Sequence, residues 1–391
     1  MQRFSANYIY PIKGSPIRNG IIEVDSNNMI INIIDPGNQV KELASMEFHN
    51  GVIVPGFVNT HCHLELSHLK GKIEQSGGIA EFVSQVRNIR KTNLQEVENG
   101  IKQALSTLKS NGTVAVGDIC NTEDTLNEKL NSDILFHNFI EIFGLNPIDA
   151  KERVNKAIEL LTKFNTSGKS TLTPHSSYSI SESLYNLLRD ELATTTPLVS
   201  IHYGESKQEY SILKDNSGLL AENFKELGIP INLPDGKSPL EIAQRFIPKN
   251  SKVIFVHNTF ASRDEIEQLS SYFKESYFVL CPSSNLFIEG VLPDVPMLVS
   301  SGVDIALGTD SYASSNTISV FDQMMILLDN FPSLSFIDVL KWATLNGAKA
   351  LNFNSQVGSF EVGKRPGLNL ITHFDFNSMR PTKRSRVKRL V

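Results

Sequence analysis

Two histidines separated by a single residue, His61 and His63, close the apolar run Val52-Ile-Val-Pro-Gly-Phe-Val-Asn-Thr60. Side chains at alternate positions of a strand share a face, so both imidazoles can reach one metal ion while Cys62 points away. Two ligands do not make a site, but further donors close later apolar runs. His202 follows Leu198-Val-Ser-Ile, His257 follows Val253-Ile-Phe-Val, and Asp310 follows Val303-Asp-Ile-Ala-Leu-Gly-Thr. Imidazole and carboxylate serve zinc or ferrous iron well, and a catalytic metal site keeps one position for water. Glu205 lies three residues after His202. It is either a surface glutamate or a carboxyl that moves protons beside the metal, and His-x-x-Glu closes none of the other runs.

The elements that must carry these residues are visible from Gly51 onward as short apolar runs, each followed by a longer segment with helical spacing. Eight such runs occur, at 52–60, 113–120, 136–144, 170–175, 198–203, 252–257, 276–281 and 303–309. Ala80 to Arg90, Ile101 to Leu108 and Arg153 to Leu161 are amphipathic stretches between them. Eight strand-helix units predict an α/β fold, a (β/α)8 TIM-type barrel, and such barrels build their sites at the carboxyl ends of the strands. The candidate histidines and Asp310 all fall at such ends. Before the barrel, Asn7 to Ile12, Gly20 to Val24 and Met29 to Ile34 read as strands, and Val357 to Ile371 shows strand alternation again. These segments predict a small β-sandwich domain built from both termini, with boundaries at 1–54, 55–354 for the barrel, and 355–391.

Composition narrows the function classes. The 391 residues carry a formal net charge of −5, which gives no electrostatic reason to expect nucleic acid. No apolar stretch approaches the roughly 20 residues needed to span a bilayer, and the amino terminus lacks a secretory pattern, so the cytoplasm is the expected location. Cys62, Cys120 and Cys281 form no C-x-x-C pair. Three are too few and too scattered for a disulfide framework, and the missing pair argues against the paired-cysteine zinc site of cytidine deaminases. The basic tail from Arg380 to Arg389 reads as a solvated terminal segment.

Pro55-Gly-Phe-Val-Asn-Thr-His-Cys-His63, Pro174-His-Ser-Ser-Tyr178, His202-Tyr-Gly-Glu205, His257, Pro282-Ser-Ser-Asn-Leu286, Leu307-Gly-Thr-Asp-Ser311 and Ala313-Ser-Ser-Asn316 occur in one order along the chain. Taken together they resemble the amidohydrolase superfamily, in the branch that holds cytosine, guanine and S-adenosylhomocysteine deaminases and the triazine hydrolases. The resemblance implies one divalent metal ion, zinc ahead of ferrous iron, held by His61, His63, His202 and Asp310. The two-metal members add a carboxylated lysine from the fourth strand, and the run Ser170 to His175 offers none. Glu205 would be the proton shuttle, and His257 would orient the attacking water. In the implied deamination, Asp310 and His257 take a proton from that water, while Glu205 protonates the ring nitrogen and then the departing amine.

His175 and Tyr178 resemble substrate contacts of the adenosine-type deaminases, with a structural role open for His175. Glu65, in His63-Leu-Glu-Leu-Ser-His68, is closer to the aminodeoxyfutalosine deaminases. Ser311 stands where glycine is commoner, and completes the expected substrate-contact set. The implied partner is a small molecule, an adenine-type nucleoside such as 5'-methylthioadenosine, S-adenosylhomocysteine or aminodeoxyfutalosine, and the family implies a homodimer. Guanine or cytosine deamination and triazine-type hydrolysis are the alternatives within the enzyme class. A metal-binding relative without turnover is the alternative outside it.

Overall fold

The computed structural model describes residues 1–37, 43–75, 77–194 and 197–391. The first barrel run is shared between two sheets. Met46–Pro55 belongs to a sheet made by the termini, and Phe57–Cys62 is the first barrel strand. Gly56 is the joint. Its N–H donates to Pro366 O at 2.8 Å, and a Cβ at this position would stand only 2.6 Å from that oxygen. A glycine therefore lets the chain leave one sheet and enter the other without a gap.

The terminal sheet has seven strands and mixed direction. Gln2–Ile9 runs parallel to Met46–Pro55, and Leu368–Ile371 lies antiparallel on the other side of Met46–Pro55. Ile21–Val24 and Ile30–Ile34 extend the sheet on one side, and Val387–Arg389 closes the other. Phe4, Ile22, Ile53 and Leu370 meet in its core. Phe374–Asp375 and Arg380–Pro381 add a two-stranded ribbon.

The eight barrel strands are parallel and fall into two hydrogen-bonded halves. Phe57–Cys62, Thr113–Cys120, Leu135–Ile142 and Lys169–Pro174 form the first; Leu198–Tyr203, Lys252–His257, Glu275–Leu280 and Asp304–Leu307 form the second. The ladder is not continuous around the ring. The halves meet through two single bridges, Ser176 with His202 and Cys62 with Asp310. Side chains supply further bonds at both seams. Thr171 Oγ1 donates to Leu198 O at 2.8 Å, and Ser200 N donates to Thr173 Oγ1 at 2.8 Å. Across the other seam, Asn59 Nδ2 donates to Thr309 Oγ1 at 2.7 Å and Thr309 N donates to Asn59 Oδ1 at 3.0 Å.

The helices cover this core with the faces their spacing dictates. Leu94–Ser110 buries Val97, Ile101, Ala104, Leu105 and Leu108, an i, i+4, i+7, i+8, i+11 stripe. Arg263–Tyr272 starts at a reciprocal capping box between Ser262 and Glu265. The long segment after the fifth strand holds three helices, Lys207–Asp215, Leu219–Glu226 and Pro239–Phe246. Asn223 Nδ2 ties the second of them to the helix Ile79–Ile89 through Ala80 O at 3.0 Å. Among the described residues, no helix is long and apolar enough to cross a membrane.

Candidate metal centre and active site

His61 and His63 leave the end of the first strand, and their rings meet edge to face with centroids 4.8 Å apart. His63 Nε2 lies 3.1 Å from His61 Nε2 and 3.2 Å from His202 Nε2. Ligand atoms 2.0–2.1 Å from a tetrahedral zinc are about 3.3 Å from one another, so the spacing fits one ion. His202 Nδ1 lies 2.9 Å from His175 O, a bond that puts the proton on Nδ1 and leaves Nε2 as a bare lone pair aimed at the cluster. Asp310 lies beside this trio. Its Oδ1 lies 3.3 Å from His63 Nε2 and 3.7 Å from His61 Nε2. Its Oδ2 accepts from Ser314 Oγ at 2.6 Å and Ser284 Oγ at 2.7 Å, which fixes the carboxylate plane.

Burial and neighbouring charges set the protonation of His63, His202 and Asp310. Burial lowers His63 well below the ordinary imidazole range against the pull of Asp310. Burial, reinforced by His175 and His61, takes His202 down to about 3. Burial opposes ionisation of Asp310, yet bonding to His61 and the nearby rings of His63 and His257 hold it well below the usual carboxylate range. Neutral imidazoles and a charged carboxylate are the ligating forms. Glu141, His175 and His202 make a second close group, each offering an atom within 4.8 Å of the others. The fourth strand's one lysine, Lys169, sits at its amino end and donates to Asn352 O at 2.7 Å, far from the strand ends that carry the cluster.

Glu205 and His257 flank the cluster on one side, with Glu205 Oε1 3.5 Å from His257 Nε2. Both are buried, and neither ring nitrogen of His257 has a hydrogen-bond partner among the described residues. Burial raises Glu205 well above the carboxylate range, and Asp310, Glu209 and Glu289 add to the rise. His257 and Asp310 occupy left-handed backbone at φ 78° and 59°. Non-glycine residues seldom adopt that region, and such strain concentrates where side-chain direction matters.

The remaining expected contacts are placed as follows. His175 stacks on His202 with centroids 4.6 Å apart, and its Nδ1 lies 2.9 Å from both Ser176 Oγ and Ser179 Oγ. The Tyr178 hydroxyl is buried without a hydrogen-bond partner among the described residues. Ser311 Oγ accepts from Ala313 N and Ser314 N, both at 3.2 Å, within its own loop. Glu65 Oε1 accepts from Asn121 N at 2.8 Å and Thr122 N at 2.7 Å, and its Oε2 pairs with Arg90 Nη2 at 3.1 Å. Burial, opposed by Arg90, pushes its carboxyl up to about 7.

Residues 52–384 match the model of the amidohydrolase family. The chain belongs to that family. Among relatives, an amidohydrolase from Helicobacter pylori named adenosine deaminase is 28% identical over 347 residues, covering 86% of this chain and 81% of its own length. An aminodeoxyfutalosine deaminase from Nitratiruptor sp. is 28% identical over 335 residues, covering 82% and 79%. The crystal structure of Helicobacter pylori aminofutalosine deaminase in complex with methylthio-coformycin superposes over 100% of both chains with a TM-score of 0.83 at 21% identity. This amidohydrolase is an enzyme of a family whose members here hydrolyse carbon-nitrogen bonds.

Sequence reasoning passed over two carboxylates of this amidohydrolase site. Glu209 is fully buried, accepts Ser177 Oγ at 2.5 Å and Glu205 N at 3.1 Å, and so holds the turn that presents Glu205. Its signal was the four-residue spacing from Glu205, which puts it on the first turn of the following helix. Glu141 closes the third strand on the same face as Phe139. Its signal was a carboxylate at a strand end, the same pattern that marked Asp310.

Proposed function

We propose that this amidohydrolase is a metal-dependent aminohydrolase that replaces the 6-amino group of an adenine-type nucleoside by a carbonyl and releases ammonia. The observation that carries the reading is Glu205, a buried carboxyl whose Oε1 lies 3.5 Å from His257 Nε2, on one side of the donor cluster. His61, His63, His202 and Asp310 would hold the ion, and zinc fits this nitrogen-rich set with its single carboxylate. When bound, the metal supplies Lewis-acid activation of water, whose pKa zinc lowers to about 7.

The chain's own groups account for the proton transfers. Glu205 donates to the ring nitrogen next to the reacting carbon, which makes that carbon electrophilic. His257 would orient the attacking water, and Asp310 with His257 would accept its proton. Of the two protons the water brings, one reaches the departing amine through Glu205 and the other leaves Glu205 protonated again, so the cycle closes. Glu209 keeps Glu205 in place, because it grips the Glu205 backbone N–H and leaves the side chain directed toward His257. The relatives named for adenosine and aminodeoxyfutalosine support an adenine nucleoside over other cyclic amidines.

The test is ammonia release and the ultraviolet change on incubating zinc-loaded protein with adenosine, 5'-methylthioadenosine, S-adenosylhomocysteine, aminodeoxyfutalosine, guanine and cytosine. Conversion of an adenine nucleoside to its inosine form is the expected result. Glu205→Gln should retain one zinc per chain and lose about 100-fold or more in kcat. A Gln variant with near-normal turnover would remove the shuttle assignment.

A further inference from the structure

His257 is a buried ring that no hydrogen bond aims. Neither of its nitrogens has a partner among the described residues, and the Glu205 carboxylate stands off at 3.5 Å. The ring lies over His202 with centroids 5.5 Å apart and meets His61 edge to face at 5.9 Å. Such contacts restrain the ring plane only loosely, so the backbone sets the direction of the side chain. That backbone is unusual. His257 stands at φ 78° and Asn258 follows at φ 56°, two left-handed residues in succession where the sixth strand ends. A non-glycine residue persists in this region only when its surroundings hold it there.

Asn258 supplies the hold. It is 1% exposed and joins the ends of three strands. Its backbone N–H donates to Tyr203 O of the fifth strand at 3.0 Å. Its Nδ2 donates to Phe255 O of the sixth strand at 2.8 Å and to Val279 O of the seventh at 3.3 Å. An asparagine meets both demands of the position, because it tolerates left-handed backbone and its amide carries two donors for two carbonyls. Just beyond, Thr259 Oγ1 accepts from Asn285 Nδ2 at 2.6 Å, which pins the outgoing chain to the helix Pro282–Ile288.

We infer that Asn258 is the positioning residue for His257: by tying the fifth, sixth and seventh strands together it fixes the left-handed turn that points the imidazole at the cluster. The inference rests on the aminohydrolase reading above, in which His257 orients the attacking water. The full-length zinc-loaded protein would be compared with Asn258→Gly, Asn258→Ala, His257→Ala and the double variant His257→Ala with Asn258→Gly. The substrate is the adenine nucleoside that wild type converts best, and zinc content and thermal unfolding are measured for each protein. Asn258→Gly keeps access to left-handed φ and removes only the side-chain bonds. Its kcat should fall about 10- to 100-fold, the scale of a small misplacement at a reacting centre, with KM within about twofold and zinc content unchanged. Asn258→Ala adds backbone strain and should fall at least as far. In the His257→Ala background Asn258→Gly should cost almost no further kcat, while its effect on Tm persists, a pattern that a purely structural role does not produce. Thr259→Val leaves Asn258 in place and serves where an Asn258 variant does not fold; it should lower kcat by about 3- to 10-fold, the range of one neutral hydrogen bond. Near-normal kcat in folded Asn258→Gly, or in Thr259→Val where Asn258→Gly does not fold, would overturn the inference alone. So would a loss of zinc in Asn258→Gly, or an equal kcat loss with and without His257. Wild type that converts no adenine nucleoside would overturn the functional reading and this inference with it.

Discussion

Lys129→Met tests whether the second barrel strand is held by a buried ion pair that also supports the metal site. Lys129 Nζ lies 2.5 Å from Asp118 Oδ2, and both side chains are 0% exposed. The ammonium also bonds Asn138 Oδ1 at 2.9 Å and Cys120 Sγ at 3.1 Å, and lies over the Phe164 ring at 4.8 Å. Burial opposes the charge on Lys129, but Asp118 more than compensates and its pKa is raised. Methionine fills the same volume without a charged donor, so the Asp118 carboxylate would keep its bond from Leu64 N at 2.9 Å and a weak one from Cys120 Sγ at 3.7 Å. Removing one partner of a buried pair costs about 3–5 kcal/mol, because the remaining charge is left uncompensated. Chemical unfolding of the zinc-free protein reads this directly. Asp118→Asn combined with Lys129→Met should recover most of the loss, since no buried charge remains. Leu64 follows His63, so the single variant should also hold zinc less tightly. A single variant within about 1 kcal/mol of wild type, or a double variant worse than the single, would refute the reasoning.

Two further perturbations address the site more closely. Gly308→Ala would place a Cβ 2.9 Å from His61 Cβ and 3.0 Å from His61 N; zinc content per chain should fall, and full occupancy would show that the first strand can yield. Glu209, pushed up to about 8 by burial, binds a proton in the folded state that the unfolded chain releases near pH 4.5. Its contribution therefore makes stability fall as pH rises from about 4.5 to 8, with the penalty complete above that range. Glu209→Gln should flatten this limb in melts across pH, and an unchanged slope would exclude Glu209 as its source.

Much of this architecture is legible in the chain because short-range geometry dictates it. Period-two alternation puts His61 and His63 on one face, and each of the eight apolar runs marks a barrel strand. The division of 52–60 at Gly56 was hidden because both resulting strands are buried, and a continuous apolar run carries no mark of changing sheets. Ser284 and Ser314 stood inside quoted motifs, yet their grip on Asp310 Oδ2 depends on loops that meet only in three dimensions. A hydrogen-bonded chain from Glu65 through Arg90 and Asn121 to Glu141 was invisible for the same reason. Its members come from four separate elements, and no spacing rule links them. Lys129 is one charge among many in the sequence, and only its burial against Asp118 singles it out.

The two seams of the barrel have a consequence for how the molecule is assembled. His61 and His63 belong to the first four-stranded half, His202 and Asp310 to the second, and the single bridges lie at Cys62 with Asp310 and Ser176 with His202. Each half carries a complete ladder of its own, and the ring is closed across the seams by far fewer bonds. An ion held by His61, His63, His202 and Asp310 would join the two halves there, and its binding energy would add to the stability of the closed ring. Stripping the metal should thus be felt first as a parting of the halves, with each ladder outlasting the ring.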